Sequence, residues 1–278
     1  MDVSIIIPCL DDRWLPECLA SLPEGAEVIV IRDPDKFGPG WARNEGLRKA
    51  TRDYIFFCDA DDTAGDVQAL VDAMEKTEAD IVVGAFEKRG LFNAVVKDFD
   101  VMTRVDQNGL GDYVRKNLAN PRHHQMLNGC WAKLFRRQII KERGIWFDYN
   151  LRTAEDLDFV FDYLRICRRI VFIPEITYHY HKREGSLTTT PDIGMTDVLQ
   201  VIRKLASYGD IGQSFIYHAI LYIIRAPKLA GFIMAGPEFK RHIRRYKPAP
   251  GNYRLLPWLM RLGFVKPVEW AARHIYGA

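Results

Sequence analysis

Three carboxylates follow an apolar run in the first quarter of the chain. Residues 54–58 have the pattern of a buried strand, and Asp59, Asp61 and Asp62 come directly after it. Carboxylates this close repel one another, which raises their pKa values unless a cation neutralises them. One or two carboxylates together with substrate phosphate oxygens are the usual ligands of Mg²⁺ in proteins. The string therefore predicts a site for Mg²⁺ or Mn²⁺ and a phosphorylated substrate, with Asp61 and Asp59 as metal ligands.

The same string permits two other interpretations. Asp59, Asp61 and Thr63 fit the Asp-x-Asp-x-Thr motif of haloacid-dehalogenase-type phosphatases, in which Asp59 would attack phosphorus and Asp61 would act as the acid. In those enzymes the motif follows the first strand, whereas two βα units precede it here. The structural alternative is a solvated turn in which Asp62 caps the next helix.

A second acidic pair, Glu155 and Asp156, opens a helical pattern in which Leu157, Val160 and Phe161 recur on one side. A carboxylate in a substrate cleft is a natural general base. The alternative is the common placement of acids at a helix N-terminus, which contributes less than about 1 kcal/mol.

Several side chains near the ends of the first two predicted strands suit a nucleotide. Ligands of parallel sheets bind beyond the carboxyl ends of the strands, where Pro8, Asp11 and Asp33 lie. Asp33 could accept a hydrogen bond from a uracil imide N–H, or it could serve simple turn chemistry. Arg43 follows a Gly-Pro-Gly loop, and its guanidinium matches a diphosphate unless it is an ordinary exposed helical arginine.

Two histidines alternate on a short apolar run near residue 180. Side chains two apart on a strand face the same side, so His179 and His181 should lie together. We predict that His179 binds the metal and that His181 contacts the diphosphate, although the two could exchange roles or be structural.

The surrounding pattern predicts an α/β fold with a mainly parallel central sheet flanked by helices. A helical C-terminal extension should follow a domain boundary near residue 190, giving a catalytic domain at 1–190 and a basic helical region at 191–278. Strands are predicted at 3–8, 27–31, 54–58, 81–86, 92–96, 170–173 and 176–180, and helices at 14–22, 41–50, 67–74, 110–118, 137–143 and 154–166.

Six blocks in order resemble the family 2 glycosyltransferases of the GT-A fold, and together they cover roughly residues 3–190. The blocks are the opening strand 3–8, Ala42-Arg43-Asn44-Glu45-Gly46-Leu47, the Asp-x-Asp string 56–62, Trp131-Ala132-Lys133-Leu134-Phe135, the Glu155-Asp156 segment, and Tyr178 to His181 with Gly185-Ser186-Leu187-Thr188. The resemblance implies a GT-A nucleotide-binding fold.

The resemblance also implies a reaction. It implies an inverting, metal-dependent transfer from a UDP-linked sugar to a saccharide or lipid-linked saccharide acceptor in cell-surface polysaccharide or glycolipid synthesis. Asp156, with Glu155, would be the catalytic pair. The implied nucleotide-sugar contacts are Pro8, Asp11, Asp33, Arg43, Asp59, Ala60, Asp61, Lys133 and His181. Asp11 replaces the family's usual Asn, which leaves the nucleotide open. A non-catalytic nucleotide-sugar-binding module also remains open, although the acidic pair speaks against it.

Composition indicates the compartment. The five cysteines are scattered without a CxxC pair, as expected of reduced core residues in a cytosolic protein. The N-terminus shows no secretory signal, and no apolar run reaches the ~20 residues of a membrane span. We therefore expect a cytoplasmic location.

The charge is uneven along the chain. Residues 201–278 hold 13 Lys and Arg against 3 Asp and Glu, a formal charge of +10. Aromatic and aliphatic residues lie among them, which suits peripheral contact with the anionic inner leaflet or, alternatively, packing onto the catalytic domain. We predict no nucleic-acid binding, because no recognised motif accompanies the charge. The residues concerned are Trp258, Leu259, Leu262, Phe264, Trp270 and Ile275, with Arg254, Arg261, Lys266 and Arg273.

Overall fold

The computed structural model describes most of the chain. The described residues are 1–90, 93–119, 126–127, 129–183, 197, 200–201, 204, 212–225, 230–247 and 255–276. The chain divides into two compact units, Met1–Leu110 with Gln125–Ser186 and Gly111–His124 with Leu187–Ala278. The boundary predicted near residue 190 lies outside the described residues.

A nine-stranded sheet forms the first unit's centre, with strand order β2-β1-β3-β8-β5-β9-β4 among the described residues. β1 runs parallel to β2 and β3, and β5 runs parallel to β9, whereas β8 is antiparallel between β3 and β5. β6 pairs with β5 and β7 with β9. The strands are β1 Val3–Cys9, β2 Glu27–Arg32, β3 Tyr54–Phe57, β4 Thr63–Ala64, β5 Ile81–Arg89, β6 Ala94–Val96, β7 Thr103–Asp106, β8 Lys133–Arg136 and β9 Arg169–His181.

Helices flank the sheet and dominate the C-terminal part of the chain. The first six are α1 Leu15–Ala20, α2 Pro39–Lys49, α3 Val67–Thr77, α4 Gln107–Ala119, α5 Arg137–Arg143 and α6 Glu155–Leu164. The later ones are α7 Gly212–Arg225, α8 Ala230–Ala235, α9 Pro237–Ile243, α10 Leu255–Arg261 and α11 Val265–Ala271, followed by a π-helical turn at Ala272–Tyr276. In the part of the chain that the structure describes, no helix is long and apolar enough to cross a membrane.

The predicted α/β fold is confirmed, with three local corrections. Residues 63–64, 103–106 and 133–136, for which the sequence analysis predicted no element, form β4, β7 and β8. The two short strands predicted at 170–173 and 176–180 are one strand, β9, whose pairing with β5 shifts register near Gly84. The proposed capping role of Asp62 is wrong, because the carboxylate of Asp66 accepts from Ala69 N at 3.0 Å and caps α3. Of the strand predicted at 92–96, residue 92 lies outside the described residues.

Helix α2 packs against strand β1 of the sheet. The β-branched run of β1 is fully buried, as its continuous apolar pattern predicts. Gly46 lets α2 approach this strand, since a Cβ at residue 46 would lie 2.3 Å from Ile6 Cγ2. The N-terminal turns of α2 are thereby held beside the carboxyl end of the sheet, where the acidic residues follow β3.

Candidate active site

Arg43 links the two acidic segments that the sequence analysis singled out. Its side chain lies on α2 and the residue is only 4% exposed. One terminal nitrogen donates to Glu155 Oε1 at 2.7 Å and the other to Asp59 Oδ1 at 2.8 Å. The guanidinium also lies over the ring of Phe147, 5.4 Å from its centroid. A buried ion-pair network therefore joins the loop after β3 to the start of α6.

This position changes the interpretation of Arg43. The alternative of an exposed helical arginine is wrong, because the residue is buried. Both terminal nitrogens of the guanidinium are engaged by carboxylates, and its buried Nε has no hydrogen-bond partner among the described residues. A direct contact with a diphosphate stays a prediction.

Asp62 is held inside the protein. It is 2% exposed, and its carboxylate accepts from Tyr178 Oη at 2.6 Å and from His181 N at 2.7 Å. The Tyr178 hydroxyl also accepts from Asp59 N at 3.2 Å. Burial, with the nearby charges of Asp59 and Asp61, raises the pKa of Asp62 well above its usual value. Asp62 therefore ties the acidic loop to β9.

Asp61 is half-buried in the same loop. Burial, followed by the charge of Asp59, raises the pKa of Asp61 to about 6. Such a carboxylate is stabilised in its charged form by a nearby cation. No group of three or more potential metal ligands occurs among the described residues. A pair of carboxylates nevertheless fits Mg²⁺ or Mn²⁺ when substrate phosphates and water complete the coordination, so Asp61 and Asp59 fit the predicted cation.

The two histidines have different partners. His181 Nε2 lies 3.1 Å from Thr63 Oγ1, and its backbone N–H donates to the acidic loop. His179 Nδ1 lies 3.0 Å from Glu87 Oε2 on β5. Burial lowers the pKa of both rings. His181 is thus directly attached to the acidic loop, while the metal-binding role of His179 stays a prediction.

Asp156 lies in the first turn of α6, where the predicted helix start is confirmed. Ala154 adopts the left-handed conformation, with φ of 64°, immediately before Glu155 begins the helix. Asp156 is half-buried. Burial and the charge of Glu155 raise its pKa to about 7, against the opposing effect of Arg43. A carboxylate with a pKa near 7 is well suited to general-base catalysis.

Lys133 is buried beneath Trp131 at the start of β8. Only 1% of the residue is exposed, and Nζ donates to Trp131 O at 3.2 Å. Burial lowers its pKa to about 8, while the charges of Asp156 and Asp98 act in the opposite direction. Ala132, between the two residues, has φ of 54°. The contact of Lys133 with the nucleotide sugar stays a prediction.

The residues predicted for the nucleotide lie at the ends of β1 and β2. Pro8 is half-buried, and Asp11 is exposed with its carboxylate accepting from Arg13 N at 2.8 Å. Asp33 is 5% exposed and accepts from Phe37 N at 2.9 Å and Gly38 N at 2.7 Å. The structure thus displays the turn chemistry of Asp33, which holds the loop into α2, and its contact with a base stays a prediction. Ala60 is buried between Asp59 and Asp61.

Sequence reasoning missed the structural part played by Tyr178. It considered Thr63 only within the phosphatase motif and Arg183 only as a ligand contact beside the histidines. Arg183 donates to Asp61 O at 3.1 Å and to Glu17 Oε2 at 2.7 Å, and it lies 3.9 Å from the ring centroid of Trp14. Tyr178 belongs to one of the six blocks of the family resemblance, but only the histidines of that block were assigned a chemical role. A buried tyrosine needs a hydrogen-bond partner, which was the available signal.

Comparisons with known proteins bear on this arrangement. The family model described as Glycosyl transferase family 2 matches residues 15–144. EpsJ of Bacillus subtilis, described as an uncharacterized glycosyltransferase, is 26% identical over 87% of this chain and 81% of its own. The chain is a glycosyltransferase similar to those of family 2. These matches favour a glycosyltransferase over the two alternatives for the Asp59 segment, a phosphatase and a non-catalytic nucleotide-sugar-binding module.

Other relatives of this glycosyltransferase are longer. The succinoglycan biosynthesis protein ExoO of Rhizobium meliloti is 26% identical over 68% of this chain and 54% of its own. The poly(ribitol-phosphate) β-N-acetylglucosaminyltransferase TarS of Staphylococcus aureus is 26% identical over 74% of this chain, which spans 40% of that protein. A crystal structure of TarS residues 1–349 with UDP-GlcNAc matches with a TM-score of 0.65 at 18% identity, covering 99% of this chain and 91% of that one. That likeness supports the GT-A fold.

Proposed function

We propose that this glycosyltransferase moves a sugar from a UDP-linked donor to a hydroxyl of a saccharide or lipid-linked saccharide. The transfer inverts the anomeric centre, depends on Mg²⁺ or Mn²⁺, and contributes to the synthesis of a cell-surface polysaccharide or glycolipid. The donor is supported by the UDP-GlcNAc complex of TarS and the pathway class by the name of ExoO. The five cysteines are free and buried, which supports a reducing cytoplasmic location.

The observation that carries the proposal is the ion-pair network of Arg43. It ties Asp59, in the predicted metal loop, to Glu155, beside the predicted base. A transferase needs the leaving diphosphate and the attacking hydroxyl to be held in a fixed relation, because orientation supplies much of the rate enhancement. A buried bridge between the two acidic segments meets that need.

Asp61 and Asp59 would hold the cation. When bound, it neutralises charge that develops on the leaving diphosphate. The rest of the acidic loop has a structural task, since Tyr178 and the backbone of His181 hold Asp62 in place. Arg183 holds the backbone of Asp61 in the same way. The loop is thus preorganised before the donor binds.

Asp156 removes the proton from the acceptor hydroxyl on the face of the sugar opposite the leaving group. Glu155 has a different task, because its carboxylate is paired with Arg43 at 2.7 Å. Its charge helps to raise the pKa of Asp156 to about 7, so that Asp156 is basic enough to accept a proton near neutral pH. We therefore assign catalysis to Asp156 and positioning to Glu155.

The decisive experiment incubates the protein with a panel of nucleotide sugars and Mn²⁺ and measures release of nucleoside diphosphate. Release from one UDP-sugar, abolished by a chelator, is the expected result. Asp156→Asn should reduce turnover about 10²–10⁴-fold while donor binding in calorimetry changes little. Asp162→Asn, on an outer position of the same helix, is the matched control and should retain activity. Full activity of Asp156→Asn would reject the assignment of the base.

A further inference from the structure

The end of α10 and the turn that follows it present large apolar side chains to solvent. Trp258 is 55% exposed, Leu262 48% and Phe264 50%. Leu262 N donates to Trp258 O at 3.3 Å, and Gly263, with φ of 75°, reverses the chain between Leu262 and Phe264. We call these three side chains the corner patch. On the same helix Leu256 and Met260 are buried, so α10 is apolar on both its inner and its outer face.

Further exposed apolar residues lie on α8, on α11 and in the π-helical turn. Trp270 on α11 is 57% exposed and Ile275 in the π-helical turn is 49% exposed. Phe232 on α8 is 70% exposed, and the next residue in the chain toward the N-terminus, Gly231, lies against Val265 of α11. A large patch of exposed apolar side chains on a protein surface indicates an interaction site.

The exposed charge between residues 230 and 276 is predominantly positive. Every described Lys and Arg between residues 230 and 276 is exposed, whereas the acidic residues described there, Glu238 and Glu269, are half-buried. Arg261 directly precedes the patch, and Lys266 follows it by two residues. The exposed basic residues are Lys240, Arg241, Arg244, Arg245, Lys247, Arg261, Lys266 and Arg273.

A groove of about 350 Å³ adjoins the patch and is lined, like its surroundings, by apolar and basic residues. Its apolar lining includes Phe239, Ile243 and Met260, and its basic lining includes Lys240 and Arg244. The guanidinium of Arg261, at the end of α10, donates to the carbonyls of Ile243 and Tyr246. These hydrogen bonds link the end of α9 to the end of α10. An apolar floor beside ammonium and guanidinium groups complements a lipid with an anionic headgroup.

We propose that the corner patch and its basic surroundings dock the protein on the surface of an anionic lipid bilayer. Trp258, Leu262 and Phe264 enter the interfacial region. The exposed Lys and Arg side chains face the anionic headgroups, except that of Arg261, which is bound to backbone carbonyls. A second copy of the chain is a poor occupant, since it would set like charges against each other. Nucleic acid is also a poor occupant, because exposed Leu262 and Ile275 gain nothing from a phosphate backbone.

The test is co-sedimentation of the full chain with vesicles, without donor or metal, so that the result is independent of catalysis. Phosphatidylcholine vesicles with about 30 mol% phosphatidylglycerol should bind the protein, and pure phosphatidylcholine vesicles should bind about tenfold less. Raising NaCl from about 0.1 M to about 0.5 M should weaken binding, because exposed charges are screened.

Two pairs of substitutions separate the contributions. Trp258→Ala with Phe264→Ala should lower the partition coefficient about tenfold or more, and Lys266→Gln with Arg273→Gln should remove part of the preference for anionic vesicles. The matched control is Trp146→Ala with Val101→Ala, two exposed apolar positions of the first unit that should leave binding unchanged. Thermal melting verifies that each variant folds.

Three results would overturn the proposal. The first is equal binding to neutral and anionic vesicles, and the second is unchanged vesicle binding of the Trp258→Ala, Phe264→Ala variant. The third is that the wild type does not bind vesicles but forms a dimer in sedimentation velocity, whereas this variant is monomeric. The last result would assign the patch to contact between copies of the chain.

Discussion

Asp156 shows how neighbouring side chains can prepare a carboxylate for proton transfer. An aspartate in water has a pKa near 4 and is a weak base at neutral pH. Burial and the adjacent charge of Glu155 raise the pKa to about 7, and Arg43 limits the rise. Because Glu155 is itself neutralised by Arg43, the pair does not simply repel. The arrangement keeps Asp156 basic and still largely ionised above neutral pH.

The pH dependence of kcat/KM should report this carboxylate. Asp156 accepts a proton only when ionised, so activity should rise with pH up to about 7 and then level off. At pH 5.5 it should be about thirtyfold below the plateau, since each unit below the pKa removes a factor of ten. Donor binding measured over the same range separates binding from catalysis. A flat profile down to pH 5 contradicts the role of Asp156.

Arg43→Lys should destabilise the protein by about 3–5 kcal/mol in urea unfolding. A single ammonium cannot bridge Asp59 and Glu155 as the guanidinium does, which leaves a buried carboxylate without its partner. The control is Arg48→Lys on the same helix, where an exposed arginine pairs with Glu45 and the expected cost is below about 1 kcal/mol. Lost donor affinity with little loss of stability would instead favour the diphosphate contact of Arg43.

At the scale of elements, the packing of α2 on β1 sets the position of Arg43. Gly46 allows the approach, because any Cβ there would overlap Ile6 of the buried strand. β8 has a comparable role on the other side of β3, where its antiparallel insertion brings Trp131 beside Phe57. The site therefore depends on how closely these elements pack as well as on its polar side chains.

Gly46→Ala should cost about 1–3 kcal/mol of stability through overpacking and should also lower activity, because α2 must move together with Arg43. In Gly111→Ala on α4 the nearest atom to the new Cβ is the flexible end of Arg115 at 3.4 Å. That control should be neutral or stabilising by about 0.5–1 kcal/mol, as expected for Gly to Ala in a helix. Equal stability of the two variants would show that α2 tolerates displacement.

At the scale of the whole molecule, the chain combines a catalytic fold with a basic, aromatic surface. The first unit contains the Arg43 network, and the second contains the corner patch. The two proposals are tested separately, since the vesicle assay contains no donor and the donor assay contains no lipid. A transferase that acts on lipid-linked acceptors benefits from both, because a membrane confines its acceptor to the same surface.

UDP and Mn²⁺ together should stabilise the whole protein against heat. A ligand at one hundred times its Kd adds about 2.7 kcal/mol of stability. For a chain of this size that corresponds to a rise in Tm of about 5 °C or more. UDP alone should raise Tm much less, and Asp61→Asn should lose the effect of Mn²⁺, as measured by differential scanning fluorimetry. An equal shift without metal would contradict metal dependence.

The sequence by itself determined the features that depend on local pattern. The apolar run of β1, the acids directly after β3 and the start of α6 at Glu155 follow from residue types and spacing over a few positions, because strands and helices bury their side chains with fixed periods. The order of the six blocks was sufficient to indicate the family and its fold.

Only the tertiary structure decided which partners these residues have. Arg43 meets Glu155 across 112 positions, and Asp62 meets His181 across 119. The antiparallel insertion of β8 is equally invisible in a local pattern, since the four residues Lys-Leu-Phe-Arg do not record the direction of a strand. Hydrogen-bond partners, burial and pKa shifts all depend on such distant contacts. The chemistry of each side chain is therefore local, whereas its protonation and its partner belong to the fold.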